Sequence, residues 1–300
     1  MNKPEATPVT HKVNPPTNTK NIPGPIYAAL CAPDSYDSGN SWRTVTELID
    51  PPRLVLLKKQ HQHEIVEDAS TMGYRLYGHI VHALVEKAAK GPAYADWEAE
   101  RRIFTTIRGR LISGQFDLFH EPTGELVDLK FSTVWKGKKG VCPREWEEQL
   151  NLLAALLRFE GRAVNKVGVS MCARDWSKLE AARDVDYPQG DMINLTSPLW
   201  DPEDAARFLD ERVRLHILSE TKEAFCTPEE RWAKPDIFAI KKIGGSRAIP
   251  GGLYAVKQAA VDQLARMGSL YEIEARSGEF TRCKHYCQAA PFCTQYKGNK

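Results

Sequence analysis

Three ionisable side chains in residues 113 to 132, "SGQFDLFHEPTGELVDLKFS", have types and spacing that could do chemistry: Asp117, Asp128 and Lys130. Pro122, Thr123 and Gly124 supply turn chemistry between two runs of alternating apolar residues, so the segment predicts a β-hairpin. Alternation places Asp128 and Lys130 on one face of the second strand, with Val127, Leu129 and Phe131 on the other. Asp117 lies between Phe116 and Leu118 on the first strand, three residues after Gly114. Two carboxylates converging on one spot repel each other, and each acquires a raised pKa unless a cation sits between them. Hard oxygen ligands of this kind suit Mg²⁺ or Mn²⁺, with waters and a substrate phosphate completing the shell. Lys130 beside such an ion can orient or help deprotonate an attacking water and stabilise phosphoryl charge.

The flanking elements must position these groups. "SWRTVTELIDPPRLVLLKKQH" predicts a short capped helix, a break at Pro51 and Pro52, and a second helix. Residues 72 to 90 carry helical apolar spacing at Leu76, Ile80, Leu84 and Ala88. Gly78, His82 and Glu86 form a second stripe on that helix, with Gly78 allowing close backbone approach. "ERRIFTTIRGRLISGQFDLF" reads as one or two strands leading into the hairpin. "PREWEEQLNLLAALLRFEG" is an amphipathic helix entered through Pro143 and stopped by Gly161. "NKVGVSMCARDW" reads as a buried strand, and "DPEDAARFLDERVRLHILSE" as a helix capped by Asp201. Beyond Cys226 come short strands, a helix near 254 to 266 and a cysteine-rich tail.

At 300 residues the chain can bury a large core, and 42% hydrophobic with 27% charged residues is ordinary for a soluble globular protein. A formal charge of +2 identifies no polyanion binder, so any nucleic-acid surface must come from local clustering. No apolar run approaches the roughly 20 residues of a membrane span, which predicts no membrane partner. Residues 1–24, rich in Pro, Asn and Thr, are expected to be a disordered arm without a targeting core. No dinucleotide-binding fingerprint or P-loop is present.

The pattern G-x-x-D, a short turn, then D-x-K resembles motifs of the PD-(D/E)XK nuclease superfamily. "GHIVHALVE" is similar to the G-x-x-x-H-x-x-x-E helix of its RecB-like branch, falling on Gly78, His82 and Glu86. "EEQLNLLAALL" resembles the following Q-x-x-x-Y helix, with Gln149 in place and Leu153 standing where the tyrosine falls. The wording "WEEQLNLLAALL" with "CTPEERW" is similar to phage-type exonucleases of that branch. The resemblance implies that His82, Asp117, Asp128 and the Leu129 carbonyl bind the ion, that Lys130 serves the nucleophilic water, and that Gln149 steadies Lys130 or a phosphate. Glu100, on the strand before the hairpin, is either a further acidic group near the ion or a solvated charge.

"FSTVWKGKKGVCPREW" follows the second hairpin strand and brings Lys136, Lys138, Lys139 and Arg144 near the proposed ion, as expected of a DNA-binding surface. Trp135 and Trp146 in the same run are expected to be partly buried. The seven cysteines are odd in number, and Cys283, Cys287 and Cys293 crowd the tail, which favours a metal site in a reducing compartment over disulfides. Cys226 is the expected fourth ligand, with Cys31 the other candidate. The tail resembles the cysteine triplet of RecB-like nucleases that carry a [4Fe–4S] staple, while a local quartet with Cys226 equally suits Zn²⁺. Either would tie down a small segment structurally.

The expected fold class is therefore α/β: a restriction-endonuclease-like mixed sheet flanked by helices over 25–220, with a cysteine-rich module over 221–300. The expected function is a Mg²⁺- or Mn²⁺-dependent DNA exonuclease of the cytoplasm, acting in phage recombination or DNA processing. Its partners would be DNA and a single-strand annealing or recombination protein. A structure-selective endonuclease of the same fold and a catalytically silent DNA-binding scaffold are the alternatives.

Overall fold

The computed structural model describes residues 14–32 and 39–297. From the N-terminus come α1 (Gly24–Leu30), β1 (Arg43–Thr44), α2 (Val45–Ile49), α3 (Pro52–Gln60) and α4 (Gly73–Ala89). Next are β2 (Trp97–Ile107), β3 (Arg110–His120), β4 (Glu125–Ser132), α5 (Val134–Gly137), α6 (Arg144–Phe159) and β5 (Lys166–Ala173). The chain continues through α7 (Lys178–Arg183), β6 (Met192–Ser197), α8 (Pro202–Thr221), β7 (Ile237–Lys242) and β8 (Ala248–Tyr254). It closes with α9 (Lys257–Leu264), β9 (Tyr271–Arg276), α10 (Thr281–His285) and α11 (Thr294–Lys297).

Six strands make a mixed central sheet in the order β1-β3-β4-β5-β6, with β2 also pairing with β3. β2, β3 and β4 run antiparallel in sequence, β4 and β5 are parallel, and β6 returns antiparallel on the edge. A parallel pair needs a crossover, and α6 lies in the connection between β4 and β5. The run from Leu150 to Leu157 on α6 is buried, and each fully buried leucine contributes about 1.5–3 kcal/mol. Gly114 of β3 lies against side chains of α6 and α2: a Cβ there would stand 2.6 Å from Leu153 and 3.0 Å from Val45. The mixed α/β class is thus present, with its central sheet flanked by helices.

Several expectations change. Residues 1–13 of the arm lie outside the described residues, but 14–24 are tied down: the Thr17 amide donates to the Glu67 carbonyl at 2.9 Å and Tyr27 Oη to the Pro16 carbonyl at 2.6 Å. On α4, Leu76 of the apolar stripe packs against the Leu30–Ala69–Met72 cluster, but Ile80 and Leu84 face solvent while His82, on the polar stripe, is partly covered. Gly78 has nothing within 4 Å of a notional Cβ, so close approach is not its role. Asp201 occupies the N-cap of α8, yet its side chain makes no capping bond. Trp146 is buried, whereas Trp135 is 70% exposed.

After α8 a second, three-stranded sheet forms in the order β8-β7-β9. It buries little beyond Ala239 and Ile240 of β7, with Ala260 of α9 also buried. Polar ties hold this end to the first helices. Arg53 of α3 donates to the Ala224 carbonyl at 3.1 Å and to Thr294 Oγ1 at 2.7 Å, and Arg282 bonds Asp50. None of the described helices is long and apolar enough to cross a membrane.

Candidate active site

β3 and β4 pair only at Leu118–Val127, Phe119–Leu126 and His120–Glu125. One register step further, Asp117 and Asp128 would face each other, but the strands have parted. Instead Asp117 Oδ2 accepts the Leu129 amide at 2.6 Å. The splay makes room for side chains from both flanking helices. From α4, His82 Nδ1 lies 2.8 Å from Glu100 Oε1 and 3.5 Å from Asp117 Oδ1. From α6, Gln149 Nε2 donates to Asp128 Oδ1 at 3.0 Å while its Oε1 accepts from Lys130 Nζ at 3.0 Å.

The structure thus brings together His82, Asp117, Asp128, Lys130 and Gln149. It adds Glu100, which the register of β2 on β3 sets opposite Asp117, between the pairs Ala99–Leu118 and Arg101–Phe116. Glu100 has φ 52°, a left-handed conformation inside a strand, which costs about 1–3 kcal/mol. Its carboxylate is held on the other side by Gln115 Nε2 at 2.7 Å, and Gln115 Oε1 accepts from Arg102 Nη2 at 3.0 Å. Gln115 and Arg102 escaped the sequence reading. Their signal was faint: a polar residue two before Asp117, and an arginine two after Glu100.

Burial sets the electrostatics. Asp117 is 5% and Asp128 3% exposed. Burial first, and then the Asp128 charge, push the Asp117 carboxyl up to about 7, against the opposing pulls of His82, the Leu129 amide and Lys130. The hydrogen bond to Glu100 raises the His82 pKa; burial opposes it, and the Asp117 charge adds to the rise. Burial alone would lower Lys130, but the adjoining Asp128 carboxylate outweighs it and the net direction is upward. Asp128 Oδ2 lies 2.8 Å from Lys130 Nζ, outside hydrogen-bond geometry, and is otherwise a buried oxygen without a partner.

These donors fit a hard divalent cation. His82, Glu100 and Asp117 place one ligand atom each within 4.8 Å of one another, while Asp128 stands outside that group with its Oδ2 2.8 Å from Lys130 Nζ.

A pH experiment tests the buried charge. A carboxyl whose folded pKa exceeds its unfolded value near 3.9 stabilises the fold while protonated, and that contribution drains away as pH rises from about 4 to about 7. In metal-free protein, Asp117→Asn is therefore expected to gain stability relative to the parent across that window, by a few kcal/mol, and to hold the gain above it. Urea melts at pH 5 and pH 8 measure the difference. An equal difference at both values removes the buried-charge account.

The basic loop is charge-compensated. Lys136 bonds Glu145, Lys138 Nζ bonds Asp184 at 3.0 Å, and Arg144 Nε bonds Glu148 at 2.8 Å. Lys139 lies over the Trp135 ring at 5.8 Å. A phosphate would have to displace carboxylates from three of these four cations. Glu86, the last residue of the helical motif, pairs with Lys90 at 2.7 Å and does not reach the site.

The thiols of Cys226, Cys283, Cys287 and Cys293 line one small cavity against α3. Arg53 Nε donates to Cys293 Sγ at 3.2 Å. Burial, followed by the neighbouring Glu230 charge, pushes the Cys226 thiol up to about 12. Cys31 lies elsewhere, beside Met72 and Arg75 in a separate cavity.

No protein-family model matches the chain, and neither does any curated protein. A solved structure described as the crystal structure of SSO0001 is similar over 67% of this chain and 95% of its own, at 16% identity and a TM-score of 0.44. A likeness of that size carries no argument, and the case for function rests on the side chains themselves.

Proposed function

We propose that the protein is a Mg²⁺- or Mn²⁺-dependent deoxyribonuclease with a restriction-endonuclease-like core, acting as an exonuclease. The observation that carries the reading is the juxtaposition of Asp117, Asp128, Lys130, His82 and Gln149 around one splayed hairpin. A buried carboxyl whose pKa is raised by burial and by a neighbouring carboxylate, as at Asp117, has a use where a cation and a phosphate share the site. A bound Mg²⁺ or Mn²⁺ would supply a water of lowered pKa and neutralise phosphoryl charge.

The chain's own groups do the rest. Asp117, Asp128, His82 and Glu100 would hold the ion, and the Leu129 carbonyl, beside the amide fixed by Asp117, would be the backbone ligand of the set. Lys130, a cation at neutral pH because Asp128 outweighs its burial, donates to the attacking water or to a phosphoryl oxygen. It orients the nucleophile and is not its base. Gln149 bridges Lys130 and Asp128, fixing the ammonium on the carboxylate side. In the hydrolysis, the water oxygen bonds to phosphorus as the bond to the 3′-oxygen breaks. The products are a 5′-phosphate and a 3′-hydroxyl, the displaced oxygen taking up a proton.

The cysteine quartet is proposed to hold a structural [4Fe–4S] cluster. Among the described residues, the group whose ligand atoms all fall within 4.8 Å is His82, Glu100 and Asp117, not the thiols. Four thiolates around one small cavity suit Zn²⁺ as the alternative.

End-labelled linear duplex incubated with and without Mg²⁺, beside a covalently closed circle, tests the reading. Release of labelled nucleotide from the linear form only, and only with the ion, is expected. Cutting of the circle would convert the proposal to an endonuclease. No cleavage with either Mg²⁺ or Mn²⁺ would end it in favour of a silent DNA-binding protein.

A further inference from the structure

The space beside Gln149 continues past the catalytic groups. A cleft of about 290 Å³ runs between α2, the start of α6 and the C-terminal segment, with Trp146, Trp232 and Arg282 among its walls. Its acidic side chains are already neutralised, Asp50 by Arg282 and Glu145 by Lys136. Trp146 is buried, so the aromatic surface on offer belongs to Trp232, which is 46% exposed.

Trp232 is held there under constraint. Its φ of 54° is left-handed, a conformation that a bulky residue adopts only when its surroundings impose it. A turn closed by reciprocal Thr227 and Glu230 bonds delivers the chain to this point, and the Ala233–Phe280 bridge fixes it on the far side. The indole lies 5.3 Å from the Tyr286 ring and 5.2 Å from the Arg282 guanidinium. Tyr286 is 66% exposed, and beyond it a second depression of about 450 Å³ carries Lys284 and His285. Two exposed rings and a stacked guanidinium thus form one track leading away from Gln149, with Lys284 at its end paired with Glu279 at 2.9 Å.

We propose that Trp232 and Tyr286 are a stacking platform for unpaired nucleobases of the DNA strand whose phosphodiester enters the Asp117–Asp128 site, so that the protein selects single-stranded or frayed ends. The inference rests on the nuclease reading for its choice of ligand. Every base has a π-face, so stacking on an indole is sequence-tolerant, and an adjacent guanidinium reinforces it. Bases inside an intact duplex have both faces occupied by their neighbours and cannot use such a platform. Neither ring lies in a core that would account for its position.

Fluorescence anisotropy with a labelled single-stranded oligonucleotide, and with the same sequence as blunt duplex, is measured without added divalent ion. Trp232→Ala is expected to weaken single-strand binding about ten- to a hundredfold and leave blunt-duplex binding unchanged, while Trp232→Phe retains most of the affinity. If circular dichroism shows that the alanine variant is unfolded, Tyr286→Ala carries the same expectation. Equal single-strand affinity in parent and folded variant overturns the platform, as does an equal loss on both substrates. Cleavage in Mg²⁺ is scored separately. Trp232-dependent single-strand binding without cleavage would keep the platform and remove the nuclease; cleavage with Trp232-independent binding would do the reverse.

Discussion

Asp128→Ala is expected to lower Mg²⁺-dependent phosphodiester hydrolysis by at least about a thousandfold, with DNA binding largely retained. The residue does three things at once. Its buried Oδ2 faces the Lys130 ammonium at 2.8 Å. Its Oδ1 anchors Gln149, and its charge keeps the buried Lys130 protonated. Alanine removes all three functions and leaves an ammonium without its counter-charge. Because such a loss can also destabilise, Asp128→Asn is the companion variant: it keeps an acceptor for Gln149 and removes the charge. Both are expected to fail in single-turnover cleavage of labelled linear DNA, and the asparagine form, which keeps the Gln149 acceptor, should melt above the alanine form. Cleavage by either at the parental rate would remove the site assignment.

The second large effect lies at the other end of the chain. Cys283→Ser is expected to abolish binding of the metal proposed for the cysteine quartet and to lower the melting temperature. The C-terminal segment has few buried apolar residues, so four thiols around one cavity, with Arg53 on Cys293, add to the polar ties that hold it against α3. Metal binding to such a site is folding free energy. Losing ~3–5 kcal/mol of it would shift Tm by roughly 6–20 °C in a domain of this size. Cys31→Ser, in a different cavity, should change neither property. Elemental analysis and the visible spectrum check the claim together: a brown protein with a broad shoulder supports iron–sulfur, and a colourless one containing zinc supports the tetrahedral alternative. Unchanged metal content and melting in Cys283→Ser would dismiss the cluster.

Much of the local structure was legible in the chain. Thr44 and Glu47 form the reciprocal cap of α2, Pro143 opens α6, and Gly161, at φ 82°, closes it. The turn at Pro122–Gly124 joins the two strands as its chemistry requires. By contrast, the apolar stripe of α4 was legible as a period and misleading as an orientation. A helix of 17 residues shows which positions share a face, but which face docks depends on the partner, and here the partner is a pair of carboxylates that attract His82.

Glu100 marks the same limit more sharply. Nothing in its neighbourhood separates it from a solvated glutamate; only the register of β2 on β3, and a left-handed backbone that no local signal encodes, bring it to His82. Spacings of two, three or four residues are set by the backbone's own geometry, so strands, helices, caps and turns could be read from the sequence together with the types of residue that bear chemistry. The meeting of positions 82, 100, 117, 128, 130 and 149, and of Cys226 with the tail, needed strand register, the splay of a hairpin and the docking of two helices. Those are settled by packing between segments far apart in the chain, which is why tertiary structure alone decided them.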